Sequence, residues 1–423
     1  MYSGNLSVII DTMIPRNLYI EKIRGFIDQP ELVKIITGLR RSGKSVMLEL
    51  IQIELRKKGV PENYILVYNF EDMSLQELKD PKILHDHIKA RTKEIKGRSK
   101  KQINRVYLFL DELQEVNNWE SCINSLRVNS DIDIYITGSN AKMLVGEYAT
   151  LMAGRYIEIR MYPFSFLEFR MAFIEKIPGL SDQEAFKLYL KQGGMPFLAN
   201  LGLTENDAKQ YLRDIYASVV IKDIMKRNNF RDVDLLDRII MYVMANTGKT
   251  FSATSIAKFF KNERRIVAVE TILNYLKACE EAYLFTKINR FDVPGKKILS
   301  INEKYYIADH GLREAVYGYN ERDIELILEN IVCLELLRRG YKVTVGRIDN
   351  KEIDFIGKRE GECVYIQVCY LLAGQDTIER EFGGLNVIQD NFPKYVVSMD
   401  ELNLSRDGIR HVNIREFLVL DFW

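Results

Sequence analysis

Residues 32–50 read LVKIITGLRRSGKSVMLEL. The first six, LVKIIT, form a short apolar run closed by a glycine, the pattern of a parallel strand buried on both faces. From Val46 to about Lys58 the pattern is helical, until Gly59, Val60 and Pro61 stop it. Between strand and helix lies G-L-R-R-S-G-K-S, Gly38 to Ser45, which fits G-x-x-x-x-G-K-[ST] at every fixed position. The pattern has a physical cause. Successive backbone N–H groups must turn inward on phosphate oxygens, a path that glycines permit. The following helix presents the positive end of its dipole to the same anion. The expected cradle is Gly38, Leu39, Arg40, Arg41, Ser42, Gly43, Lys44, Ser45 and Val46. Lys44 would bridge the β- and γ-phosphates, and the Ser45 hydroxyl would hold magnesium. A second G-K-T, in N-T-G-K-T (246–250), has Val243 in place of the first glycine and no strand before it. It reads as a turn that ends a helix.

A phosphate loop needs an acidic partner, and VYLFLDELQEV (106–116) supplies one. An apolar strand ending in Asp111 and Glu112 is the Walker B pattern. The aspartate reaches magnesium through water, and the glutamate polarises the attacking water. One further strand, YILVYNF (64–70), separates the two motifs in the chain. The next strand, IDIYITG (132–138), runs into T-G-S-N, Thr137 to Asn140. There Asn140 or Ser139 would sit between the acids and the γ-phosphate and position water; a satisfied Asx or Ser/Thr turn is the competing reading. Arg155 opens a fifth strand, RYIEIRMYPF (155–164). It is read either as an arginine finger, in cis or from a neighbouring subunit of a homo-oligomer, or as a surface ion pair.

Strands alternating with helices predict an α/β, doubly wound sheet up to about residue 170. Residues 182–228 read as helices interrupted by GGMP (193–196). Helices followed by the ribbon LFTKINRF (284–291), a Pro294-Gly295 turn and KKILSINEKYYIAD (296–309) give the order of a winged helix. From residue 321 a helix and the strands YKVTVGR, EIDFIGKR and CVYIQVCYLL make a further small α/β domain. The expected domains are 1–175, 176–230, 231–320 and 321–423.

Bulk composition narrows the field. The 423 residues suggest two to four domains, and 47% apolar with 28% charged residues is a globular balance. A net charge of +1 gives no global field for nucleic acid or an anionic membrane. Five cysteines without a C-x-x-C pair predict free thiols, and four scattered histidines predict no zinc site. The N-terminal MYSGNLSVIIDTMIPR has no leader pattern, and no run of about 18 apolar residues occurs. The expectation is a soluble cytoplasmic protein without a membrane partner.

The segments IITGLRRSGKS (35–45), LFLDELQEV (108–116), YITGSNAKML (135–144), AGRYIEI (153–159), YPFSFLEF (162–169) and GGMP together resemble the AAA-type ATPases of bacteria and archaea, in the branch near the STAND-like and archaeal ATPases. The resemblance implies an α/β P-loop NTPase core with a helical lid, followed by a winged helix and a C-terminal nuclease-like α/β domain. It implies ATP and Mg2+ as cofactors, Lys44 and Ser45 as the Walker A pair, Asp111 and Glu112 as Walker B, and Asn140 or Ser139 as sensor. It also places GGMP where the lid approaches the nucleotide, and MIPRNLY (13–19) beside adenine.

Two features of the second half bear on activity. A nuclease centre of this type needs an acid on its first helix, an aspartate on one strand and Glu-x-Lys on the next. Glu329 and Asp354 fit, but Gln367 and Cys369 stand where Glu and Lys are required, so a nuclease-like fold without cleavage is expected. The winged-helix segment carries Lys258, Lys261, Arg264, Arg265, Lys296 and Lys297 as candidate contacts to duplex DNA, against a third helix that is mostly apolar and then acidic. The leading expectation is an ATP-hydrolysing regulatory protein. The alternatives are a DNA-binding regulator or defence effector switched by ATP, and an ATP-regulated nuclease.

Overall fold

The computed structural model describes residues 13–98, 105–128, 131–141, 154–174, 176–201, 204–293, 295, 297–348, 351–421 and 423. The chain divides into two compact units, Met1–Met161 and Tyr162–Trp423. Part of the segments 96–101, 135–144 and 153–159, together with Pro294 and Lys296, lies outside the described residues.

The first unit contains α1 (Asn17–Arg24), β1 (Val33–Gly38), α2 (Lys44–Lys57), β2 (Ile65–Asn69), α3 (Pro81–Arg98), β3 (Val106–Asp111), α4 (Trp119–Arg127), β4 (Ile132–Gly138) and β5 (Tyr156–Met161). All five strands are parallel, in the order β2-β3-β4-β1-β5. Every residue of β1, β3 and β4 is buried, which is why these strands read as mostly apolar runs without alternation. Alternate residues serve opposite faces. Ile35, Leu108 and Ile134 pack with Ile88 of α3 and Ile123 of α4. Ile36, Phe109 and Tyr135 pack with Met47 and Ile51 of α2 and with Tyr19 of α1.

One polar group interrupts this core. Lys34 of β1 and Asp133 of β4 are each 0% exposed and form an ion pair. Lys34 Nζ also donates to Gln29 O at 2.6 Å, and Asp133 Oδ2 accepts from Tyr135 OH at 2.8 Å and from the Asp28 N–H at 3.0 Å. A buried pair of this kind stabilises little by itself, but losing one partner strands the other charge in apolar surroundings. Asp133→Ala is therefore expected to cost about 3–5 kcal/mol in urea unfolding. Lys34→Met combined with Asp133→Leu should recover most of that loss; a double variant no more stable than the single would show that the pair does not govern stability.

The second unit opens with α5 (Phe166–Ile174), α6 (Asp182–Gln192) and α7 (Glu205–Ser218), then α8 (Val233–Ala245), α9 (Ala253–Asn262) and α10 (Val269–Glu281). The hairpin β6 (Phe285–Asp292) and β7 (Lys297–Ile307) follows, then α11 (His310–Val316), α12 (Ile324–Arg338), β8 (Lys342–Ile348), β9 (Lys351–Arg359), β10 (Glu362–Val368), α13 (Gln375–Asn386), β11 (Lys394–Ser398), β12 (Arg410–Asn413) and α14 (Ile414–Val419). Its sheet has seven strands in the order β12-β11-β10-β9-β8-β6-β7. The hairpin is thus one edge of the sheet that β8 to β12 continue, through a parallel pairing of β6 residues Arg290–Asp292 with β8. A single sheet runs across the position, 320/321, where the order of expected elements placed a domain boundary. The Asn246–Thr250 segment does end a helix, α8. All five cysteines are free and buried. No helix among the described residues is long and apolar enough to cross a membrane.

The GGMP segment has a packing role inside this unit. Gly193 has φ +73°, and a Cβ there would lie 2.2 Å from Asp309 Oδ1. Asp309 caps α11 by accepting the Leu312 N–H at 3.2 Å, and it accepts the Gly194 N–H at 2.7 Å. Burial raises the Asp309 carboxyl to about 7, against those hydrogen bonds. The folded state then holds a proton that the unfolded chain releases at the ordinary value of 3.8, so this contribution to stability is lost as pH rises through about 7. Neighbouring His310 has the opposite sign. Burial lowers it from 6.5 to about 4, so its contribution grows as pH rises between those values. The Asp309 effect is therefore read as a difference between proteins. Asp309→Asn is expected to lose less Tm than wild type between pH 5.5 and 8; parallel Tm–pH curves would overturn the assignment.

Candidate functional site

β1 delivers the chain to the phosphate loop at Gly38, whose φ is +139° and whose added Cβ would stand 2.3 Å from Met161 O at the end of β5. Only glycine fits there. The Ser42 N–H then donates to Leu39 O at 3.1 Å, closing a turn. Arg41 takes φ +67°, and Gly43, φ +98°, caps α2. Lys44, at the first turn of α2, is 4% exposed. Its Nζ donates to Gly38 O at 3.3 Å and Leu39 O at 3.1 Å, and lies 4.0 Å from Glu112 Oε1. Ser42 Oγ is buried and has no hydrogen-bond partner among the described residues. A buried hydroxyl without a partner, a lysine and a helix N-terminus within one loop are donors of the kind an anion site uses.

The acids arrive on β3, which is separated from β1 by β4. Asp111 and Glu112 are 6% and 8% exposed. One residue of β4 holds both: Thr137 Oγ1 donates to Asp111 Oδ1 at 2.5 Å and accepts the Glu112 N–H at 2.9 Å. Glu112 itself sits at φ +52°, an uncommon backbone for a side chain of its size. The Gln114 Nε2 amide donates to Glu112 Oε2. Glu49, one turn after Ser45, has its carboxyl raised by burial first and by the charge of Asp111 second. Ser45 precedes Glu49 by one helical turn and so stands on the same side of α2. Hydroxyl and carboxylate oxygens at that place are hard donors of the kind magnesium takes alongside phosphate oxygens and water.

The other expected residues divide. Ser139 and Asn140 follow β4 and are 0% and 1% exposed, at the same end of the sheet as Gly38 and Asp111. The 13–19 segment reaches the loop through Arg16, whose Nη1 donates to Ser42 O at 3.3 Å while its guanidinium covers the Tyr19 ring at 4.7 Å. Arg40 pairs with Glu71 at 3.2 Å, and Ser45 and Val46 are exposed. Arg155 is not brought to the loop. It precedes β5, where its carbonyl accepts the Val33 N–H at the start of β1. The length of β5, about 20 Å at the ~3.3 Å rise per residue of a parallel strand, separates it from the level of Gly38. The expectation of a finger in cis is corrected accordingly: strand direction puts the first residue of β5 at the far end of the sheet. Thr137 was the residue that sequence reasoning passed over. Its signal was the polar strand end T-G-S-N, but only the β3–β4 register shows which member meets the acids.

An AAA domain profile matches residues 30–170, and a domain of unknown function (DUF8612) matches residues 183–323. An uncharacterized protein of Haemophilus influenzae is 35% identical over 409 residues, 96% of this chain and 99% of that protein. An uncharacterized protein of Methanocaldococcus jannaschii is 28% identical, covering 98% of this chain and 94% of its own length. AMPPCP-bound DnaA from Aquifex aeolicus aligns over 62% of this chain and 86% of its own, at 14% identity and a TM-score of 0.32, a likeness on which nothing here rests.

Thr137→Val keeps the shape of the side chain and removes the clamp on the acids. It is expected to lower ATP turnover about 10- to 100-fold, the usual cost of losing an orienting partner, with nucleotide affinity near wild type and Thr137→Ser largely restoring the rate. Turnover unchanged in Thr137→Val would remove the clamp from the mechanism.

Proposed function

The chain belongs to the AAA-type P-loop ATPases, and on that premise we propose that it binds ATP with magnesium, hydrolyses the terminal phosphoanhydride, and uses its nucleotide state to control the interaction modules of residues 162–423. The observation that supports this reading best is the convergence of Lys44, Asp111, Glu112 and Thr137 at the carboxyl ends of β1, β3 and β4. Backbone N–H groups from Leu39 to Ser45 and the Lys44 ammonium hold the phosphates. Ser45 and Asp111 would hold the magnesium, which would supply charge neutralisation at the phosphates. Glu112 polarises the attacking water, and Asn140 or Ser139 orients it. Arg16 braces the loop from behind through Ser42 O.

A second reading is a DNA-binding regulator in which ATP sets conformation without turnover. The Gln114 amide on the Glu112 carboxylate favours it, since it occupies Oε2, one of the two oxygens that could accept from water. The DNA surface itself is thin. Lys258, Lys261 and Arg264 are exposed, but Arg265 is taken by Asp232 and Asp234, at 2.7 Å and 2.5 Å. The face of α10 and the residues before it expose Ile266, Val269 and Leu273, which meet no phosphate.

ATPase assays separate the two. Lys44→Ala is expected to abolish nucleotide binding, and Glu112→Gln to bind ATP while hydrolysing it at least 100-fold more slowly, within the range attributed to positioned acid–base groups, about 10²–10⁴. Wild type that binds no nucleotide at millimolar ATP would end the ATPase reading. Wild type that binds without turnover, and whose affinity for duplex DNA then depends on ATP and falls with salt, would establish the switch instead.

A further inference from the structure

Helix α12 packs across β7, β8, β9 and β10 and delivers Glu329 to a group of charged side chains in the second unit. Lys304 Nζ, on β7, lies 2.9 Å from Glu329 Oε1, 2.9 Å from Glu352 Oε1 and 3.8 Å from Asp354 Oδ1. Glu352 and Asp354 both stand on β9. Tyr306 OH donates to the same Glu329 oxygen at 2.5 Å, and Arg290 Nη2 stands 3.5 Å from Glu352 Oε2. Lys304, Glu329 and Asp354 are all buried. The turn after α8 closes over the group: the Gly248 N–H donates to Tyr305 O at 3.1 Å, and Thr250 forms a backbone bridge with Lys304.

Carboxylates are the hard oxygen ligands that a divalent cation takes, yet among the described residues no group of three or more acids is spaced to hold a metal ion. Among Glu329, Glu352 and Asp354 the protein has put an ammonium, held at charge-assisted hydrogen-bond distance from two of them. The second Asp354 oxygen is also committed. Asp354 Oδ2 accepts the Val368 N–H at 2.8 Å, and Gln367 Oε1 accepts the Asp354 N–H at 3.3 Å. The glutamine that replaces the expected acid on β10 is thus used to hold β9. Cys369, in place of the expected lysine, is 1% exposed. A divalent ion at the ~2.0–2.6 Å it needs from carboxylate oxygens would have to share its position with Nζ and its charge.

We infer that the Lys304 ammonium is the resident cation of this cluster, so that the nuclease-like centre is closed to divalent metal by a charge belonging to the chain itself. The inference is independent of the ATPase reading and stands whether or not ATP is turned over. It differs from the inactivity expected from Gln367 and Cys369, because it names the group that fills the metal position and the substitution that empties it.

The probe is Mn2+, titrated into the full chain without nucleotide and followed by electron paramagnetic resonance. A site at the cluster is one that Asp354→Asn removes, which separates it from Mn2+ held at the phosphate loop. Wild type and Asp354→Asn are expected to titrate alike, and folded Lys304→Ala to gain a single Mn2+ site that Lys304→Ala/Asp354→Asn lacks. An Asp354-dependent Mn2+ site in wild type, or a folded Lys304→Ala that gains none, overturns the inference. If Lys304→Ala does not fold by circular dichroism, Lys304→Met/Glu329→Gln decides, because it removes both members of the pair. Recovery of cooperative urea unfolding in the double variant supports the internal cation, and failure to recover overturns it.

Discussion

Strand β4 lies between the strand that carries the phosphate loop and the strand that carries the acids, and it is tied to each by a buried polar side chain. Near its start, Asp133 meets Lys34 of β1; at its end, Thr137 meets Asp111 of β3. Both contacts are buried, where an unmatched charge or hydroxyl costs far more than a matched one stabilises. Each therefore works as a register pin. A slip of one residue would turn Asp133 away from Lys34 and Thr137 away from Asp111 together, because side chains alternate across a sheet. The separation between Lys44 and Glu112 is fixed by these pins as much as by the loop and the strand end that carry the two residues.

What could be read from the chain follows from how local each signal is. The phosphate loop and the strand–acid motif are contiguous patterns, and the expected strands 32–37, 106–111 and 132–138 fall within a residue or so of β1, β3 and β4. Their continuous apolar character comes from burial on both faces, a property that each strand shows by itself. Thr137, Arg155 and Lys304 depend on pairing instead. Nothing near Thr137 says that its hydroxyl meets the acids; that depends on Leu110 standing opposite Ile136. Arg155 was read as a finger or as a surface ion pair, and a parallel arrangement sends its end of β5 away from the loop in the same subunit. Lys304 was one charge in an ordinary hairpin until β6 joined β8 and brought the hairpin into the larger sheet.

GGMP shows the same limit from the other side. It is a conspicuous string, and the resemblance attached it to a lid over the nucleotide. Within the second unit, its glycines are required by close approach to Asp309, Gly311 and Phe164. A motif can be constrained by packing as tightly as by a ligand, and its spelling does not distinguish the two. The distinction comes from asking what a Cβ would meet: for Gly38 it is the neighbouring strand end beside a phosphate cradle, and for Gly193 it is a helix cap.

These two carboxylate clusters can be compared on the charge of what holds them. Asp111 is held by a hydroxyl, which fixes its direction and leaves its negative charge in place. Lys44 stands nearby, but 4.0 Å from Glu112 and with two loop carbonyls as its hydrogen-bond partners. Glu329 is held by a lysine at 2.9 Å, which fixes its direction and also cancels its charge. A neutral clamp keeps a carboxylate available to an incoming cation; an ammonium clamp uses it up. On the proposed reading the first cluster is an ion site and the second is a closed one, even though the second gathers more acids. The number of acids in a cluster therefore predicts metal chemistry less well than the charge of the group that orients them.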